Sequence, residues 1–244
     1  MVKQWKNQGK VNRVFNVIEF LRSISDYRTS LIFYPSAGTN GGHLLDYDEF
    51  NVFVYSDFFP RRFGGTRSEF YHYFISSCGG KKIDLIAATE ECRVFYTSGG
   101  KWGVFLFMSN DNAVDIIRKS EIPIEGFCGV VDGCVEGGNT ECCNEFPFMS
   151  RILGLMGARM EVITDHAPAL LGLSRGEAWM PALWKDLKFP RNLEHEGREF
   201  RVTVESKTAP GFDNAHIFCV ERMDGVEGYV RRIRREHKTP FSLR

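Results

Sequence analysis

Between residues 12 and 165, short runs of strand-forming residues alternate with segments of helical periodicity, and this restricts the fold more than any other feature of the chain. Residues 12–27 carry Val14, Phe15, Val17, Ile18, Phe20, Leu21 and Ile24 on one helical face. The apolar run 31–34 breaks into the glycine-bearing stretch 35–42, and 51–55 is a second run closed by Ser56 and Asp57. Both read as buried strands, and the gap between them leaves room for a helical turn or two. Residues 66–77 are helical with Gly79 and Gly80 as a stop. Three strand-like pieces follow, 83–87, 93–96 and 103–108, with 98–101 as a hairpin turn between the last two.

A helix over 111–119, started by Ser109 or Asn110, leads to a strand at 127–131. A helix from Pro147 to Met156, ending at Gly157, leads to a strand over 160–164 that delivers Asp165 and His166 to its carboxyl end. Beyond it, 167–198 holds three prolines and two of the four tryptophans without a long periodic run, and reads as a helical and loop insertion. Residues 200–205 and 217–221 form an antiparallel strand pair, and 226–244 a basic C-terminal helix and tail. The alternation predicts a single α/β domain over 1–244, three-layered and Rossmann-like, with a mainly parallel sheet and an antiparallel strand pair at its C-terminal end. Ligands of such sheets bind outside the carboxyl ends of the strands, where the strand order reverses.

A chain of 244 residues can bury a core without disulfides or structural metal. The seven cysteines are odd in number, and Cys142 adjoins Cys143, which favours reduced thiols. Residues 1–10 are polar and no window approaches the apolar length of a membrane span, so a cytoplasmic protein is expected. With 31 Lys and Arg against 31 Asp and Glu, the surface as a whole is not devoted to nucleic acid or anionic lipid. Arg231, Arg232, Arg234 and Arg235 offer a local nucleic-acid contact or, with Glu227 and Glu236 alongside, a solvated helix face.

The loop after the first strand concentrates the binding chemistry. Ser36, Thr39 and Asn40 are short polar residues around Gly38, which lets backbone N–H groups approach a ligand. Asp57 follows Gly38 by nineteen residues and ends the second strand, where a carboxylate can accept from both hydroxyls of a ribose. An architectural turn is the alternative reading of the same residues.

In its order of elements the chain resembles S-adenosylmethionine-dependent methyltransferases. The likeness lies in the helix before Leu31, the strand 31–34 with its glycine loop, Asp57 closing the second strand, the alternating units to Thr164 and the final strand pair. That family usually reads acidic-x-Gly-x-Gly in the first loop, where this chain has Tyr34-Pro35-Ser36-Ala37-Gly38. The resemblance implies S-adenosylmethionine held by Ser36, Gly38, Thr39, Asn40 and Asp57, and methyl transfer governed by proximity to an acceptor of unknown identity. The other reading is a divergent, non-catalytic Rossmann-like domain that binds a nucleotide or a protein.

The acceptor side falls to the polar stretch 132–145 and to residues 165–166. Asp132, Glu136 and His166 are the candidates for proton transfer, and Asn139 and Glu141 could face a substrate. Cys134, Cys142 and Cys143 with His166 could ligate a soft metal or supply a nucleophile, but their spacing fits no zinc motif, and no metal is expected. Asn139 or Asn144 as a helix cap and Asp165 as another are the structural alternatives. Tyr34, Phe58 and Phe59 flank the expected cleft and could stack on a base or sugar.

Overall fold

Every residue of the first two strands, β1 (Leu31–Pro35) and β2 (Val52–Ser56), is buried, as expected of strands covered on both faces. The computed structural model describes residues 15–26, 28–38, 41–57, 66–130, 146–165, 188–206, 209, 211–212 and 215–224. Among them are eight further strands: β3 (Ile83–Ala88), β4 (Cys92–Thr97), β5 (Trp102–Leu106), β6 (Ile124–Gly129), β7 (Met156–Thr164), β8 (Arg191–His195), β9 (Arg198–Ser206) and β10 (His216–Arg222). The helices are α1 (Val17–Ile24), α2 (Arg67–Ser76), α3 (Asn110–Ser120) and α4 (Phe146–Leu155), with a 3-10 turn at Gly41–Asp46.

The strands form one sheet in the order β3-β4-β5-β2-β1-β6-β7-β10-β9-β8. The middle five, β5 to β7, are mutually parallel, and the pairs outside them are antiparallel. The chain steps from β1 to β2, goes to the rim at β3 and comes back inward through β4 to β5, then crosses to the other side of β1 for β6 and β7. The strand order therefore reverses between β1 and β6.

One face of the sheet is packed by α1, α3 and α4 around Phe20, Leu21, Phe33, Ile117, Phe127 and Ile152. The other is packed by the 3-10 turn and α2 around Leu44, Phe53, Tyr55, Phe70, Phe74 and Phe105. These two cores make the molecule a three-layer, Rossmann-like α/β fold with a mixed sheet. Each fully buried Phe or Leu contributes about 2 kcal/mol by leaving water. Most of the aromatic residues named in these clusters sit on strand and helix faces that the alternating pattern had marked as apolar.

Local chemistry sets the helix starts. Asn16 Oδ1 accepts from the N–H groups of Ile18 and Glu19 at the start of α1. Thr66 and Glu69 form a reciprocal capping box on α2, and Ser109 caps α3. Glu121, at φ +64°, closes α3 in the left-handed conformation. Lys101 Nζ donates to the carbonyls of Leu45 and Tyr47, each at 2.9 Å, and so ties the end of the 3-10 turn to β5.

Two sequence expectations need correction. The stretch 167–198 is not wholly helix and loop, because β8 occupies Arg191–His195 and β9 begins at Arg198. The Pro147 helix stops at Leu155, before Gly157, because Met156 already pairs with Ile124 and opens a strand that runs to Thr164. The expected antiparallel strand pair is present as β9 and β10: β10 lies against β7, β9 outside it, and β8 forms the rim.

Candidate functional site

The strand order reverses between β1 and β6, the place where sheets of this kind bind ligands at the carboxyl ends of their strands, and the loop leaving β1 lies there. Ser36 takes φ +52°, an unusual conformation for a residue with a side chain, and Gly38 also has φ +52°. Asn110, the first residue of α3, holds Ser36 there. Its Oδ1 accepts from the Ser36 N–H at 3.1 Å and from the Ser56 hydroxyl at 2.8 Å, while its Nδ2 donates to Ser36 Oγ at 2.9 Å. One side chain thus clamps the ends of β1 and β2 to the helix that follows β5. A strained backbone persists only where its surroundings determine it in this way.

Asp57 is held from two sides. Its own N–H donates to the Leu106 carbonyl at 3.0 Å, extending the β2–β5 ladder by one residue. Its Oδ2 accepts from the Gly38 N–H at 2.7 Å. The Ala37 N–H donates to the Ser56 carbonyl at 3.0 Å, so the loop folds back across β2. Among the described residues, a side chain at Gly38 would meet nothing within 4 Å. The spacing seen in the sequence therefore becomes a direct contact between the glycine loop and the strand-end carboxylate.

On the other side of the reversal, at the end of β6, the Thr164 hydroxyl donates to the Gly129 carbonyl at 2.9 Å and Val130 is buried. Gly211 and Phe212, between β9 and β10, pack against the same end of the sheet. Phe212 meets Tyr34 edge-on with ring centroids 6.3 Å apart, and Gly211 approaches His43. Tyr34 is only 1% exposed, so its ring belongs to the core and does not line the cleft as the sequence suggested. Asp165 stands at the end of β7 as expected. Thr39, Asn40, Phe58, Phe59, Asp132, Cys134, Glu136, Asn139, Glu141, Cys142, Cys143, Asn144, His166, Arg231, Arg232, Arg234 and Arg235 lie outside the described residues.

Sequence reasoning missed two arrangements. Asn110 is the first, since it was read as a possible helix cap, a role that Ser109 fills. The second joins Ser150 on α4 to the β8–β9 turn. Its hydroxyl donates to Glu196 Oε1 at 3.0 Å and lies 2.5 Å from His195 Nε2. Serine, histidine and glutamate invite a hydrolytic reading, but position argues otherwise. His195 pairs with Arg198 at the end of the sheet where β7 begins, opposite the carboxyl ends of the parallel strands. The trio anchors the outermost hairpin to α4.

An open depression between α2 and the β3–β4 turn is lined by Thr66, Thr89, Arg67 and Arg93. Arg67 donates to the Glu90 carbonyl and Arg93 to those of Thr89 and Cys92, and both guanidinium groups lie over the Phe107 ring. These cations are engaged in holding the turn. Among the described residues no group of three or more His, Cys, Asp and Glu could hold a metal ion, and no helix is long and apolar enough to cross a membrane.

No family model and no curated protein matches the chain. Among solved structures it is similar to an rRNA methylase from Streptococcus thermophilus, at 12% identity and a TM-score of 0.37, over 84% of this chain and 93% of that one. It is also similar to magnesium protoporphyrin IX methyltransferase from Synechocystis with bound S-adenosylmethionine, at 11% identity and a TM-score of 0.35, over 84% and 76% of the two chains. A Streptococcus mutans protein in complex with S-adenosylhomocysteine shows 10% identity and a TM-score of 0.37, over 86% of this chain and 100% of that one.

Proposed function

We propose that the protein is an S-adenosylmethionine-dependent methyltransferase with an acceptor still to be identified, and that it binds the cofactor across the reversal between the ends of β1 and β6. The observation that carries this reading is the 2.7 Å contact between the Gly38 N–H and Asp57. It sets a carboxylate beside a glycine loop at the carboxyl ends of two adjacent parallel strands, where Rossmann-like sheets bind nucleosides. A carboxylate offers about four lone-pair directions, so one oriented by a loop amide can also accept from ribose hydroxyls.

The bound cofactor would supply a methyl group on a positively charged sulfur, and the chain's own contribution would be placement. Asp57 orients the nucleoside, Gly38 admits it, and Asn110 keeps the loop in shape from behind. Thr39 and Asn40 continue the loop and are assigned to the same ligand, as is Ser36, whose polar groups also bond Asn110. Asp132, Glu136 and His166 are the acceptor-side candidates, needed as bases only if the acceptor must lose a proton.

One observation favours a non-catalytic Rossmann-like binding domain instead. The N–H groups of Ser36, Ala37 and Gly38 all have acceptors within the protein, which leaves the loop fewer donors for a ligand. Photolabelling separates the two. Irradiation with tritiated S-adenosylmethionine should label the peptide containing residues 36–40, and excess S-adenosylhomocysteine should suppress the label. Absence of labelling in folded protein, or labelling that the competitor leaves unchanged, would favour the binding domain.

A further inference from the structure

Two cations stand beside the carboxyl end of β5. Cys92, which opens β4, pairs with Leu106, and the Phe107 N–H donates to the Glu91 carbonyl at 2.8 Å, so the β3–β4 turn lies at that strand end. Between this turn and α2 is the open depression lined by Thr66, Arg67, Ser68, Thr89, Glu90 and Arg93, with a volume of about 670 Å³. Arg67 and Arg93 hold their guanidinium carbons 5.9 and 5.2 Å from the centroid of the Phe107 ring.

Each guanidinium is anchored through Nη1 alone, Arg67 to the Glu90 carbonyl and Arg93 to the carbonyls of Thr89 and Cys92. A guanidinium carries five N–H donors, so Nε and Nη2 of both remain for a ligand. Among the described residues neither arginine forms an ion pair, and the Glu90 carboxylate, which shares the depression, bonds to neither.

Two like charges held against one ring repel each other, and a single carboxylate offsets them only in part. A doubly charged oxyanion completes the balance, and phosphate matches the guanidinium fork in shape. The volume separates a free ion from an ester. It falls within the range of about 300–1,000 Å³ typical of sites that enclose whole small molecules, and inorganic phosphate would leave most of it unfilled. We propose that the depression binds a phosphate monoester of nucleotide size, with the phosphate between Arg67 and Arg93. This site is separate from the Gly38–Asp57 contact and does not depend on which cofactor binds there.

Calorimetric titration with uridine 5′-monophosphate, uridine and inorganic phosphate, in the absence of S-adenosylmethionine and with circular dichroism to verify folding, tests the proposal. The monophosphate should bind saturably, inorganic phosphate about tenfold more weakly, and uridine not at all. Arg67→Gln and Arg93→Gln should each weaken the monophosphate about tenfold. Glu90→Gln, which keeps the carbonyl that anchors Arg67, should tighten it. Absence of monophosphate binding would overturn the proposal, as would binding that uridine matches or that all three variants leave unchanged. Inorganic phosphate binding as tightly as the monophosphate would overturn the assignment of an ester.

Discussion

Asn110 shows how far a single residue can matter without leaving a local trace. Three of its hydrogen bonds, among the described residues, join segments 74 and 54 residues away in sequence, and no periodicity or motif points to such partners. Asp57, by contrast, was legible, because a strand-end carboxylate at a set distance from a glycine loop is a local pattern. Asn110→Ala should cost at least about 3 kcal/mol, roughly 1 kcal/mol for each of these three bonds. Urea unfolding should show this as a lower midpoint at unchanged slope; a midpoint within error of wild type would mean that Ser36 holds its conformation unaided. Buried thiols give a second residue-scale prediction. Burial pushes Cys78 from 9.0 to about 11, against the pull of Lys81, and pushes Cys219 to about 11 as well, against Arg159. Below about pH 9 the folded and unfolded states both keep these protons and stability is at its full value. Between 9 and 11 the unfolded chain gives them up first, so stability falls as pH rises. The hydroxyls of Tyr47, Tyr55 and Tyr71, also raised by burial, add to the loss only above their ordinary 10.0. The unfolding midpoint should therefore drop between about pH 8 and about pH 10, and the drop should shrink in the Cys78→Ala/Cys219→Ala double variant. An equal drop in both proteins would assign it to other groups.

At the level of elements, helices and central strands were legible because their burial imposes periodicity. The glycine stop after α2 matched its local signal, with Gly79 and Gly80 both at positive φ, whereas the capping box at its start was not anticipated. Thr66→Ala should lower stability by about 1 kcal/mol, measurable as a shift in thermal midpoint; no shift would show that packing of Phe70 and Phe74 alone fixes the helix start. β8 escaped notice because a rim strand needs little apolar surface: in Arg191–His195 only Leu193 is apolar. The one available signal was Glu196-Gly197, both at positive φ, which makes the tight turn into β9. The junction of α4 and β7 was missed for a different reason. Pairing of Met156 with Ile124 overrides the local stop that Gly157 suggested. Among the described glycines, Gly103 in β5 has the nearest neighbour, since a Cβ there would lie 2.0 Å from the Phe95 ring. Gly103→Ala should cost about 3 kcal/mol through overpacking; a cost below about 1 kcal/mol would show that the Phe95 ring can move aside.

For the whole molecule, the alternation of elements foretold the layers and the parallel centre, but not the order of strands at the rims. Pairing of distant strands follows from which edges remain open once the core has formed, and a linear pattern does not encode that. The reversal between β1 and β6 brings the β1 loop, Asp57 and the start of α3 together, and the functional reading depends on that convergence. The central claim is that this site binds S-adenosylmethionine through Asp57. Isothermal titration calorimetry with S-adenosylmethionine and S-adenosylhomocysteine tests it most directly. The account predicts saturable binding of both by the wild type, lost in Asp57→Ala while circular dichroism shows the fold intact. Absence of heat at millimolar ligand, or binding that survives Asp57→Ala unchanged, would contradict it.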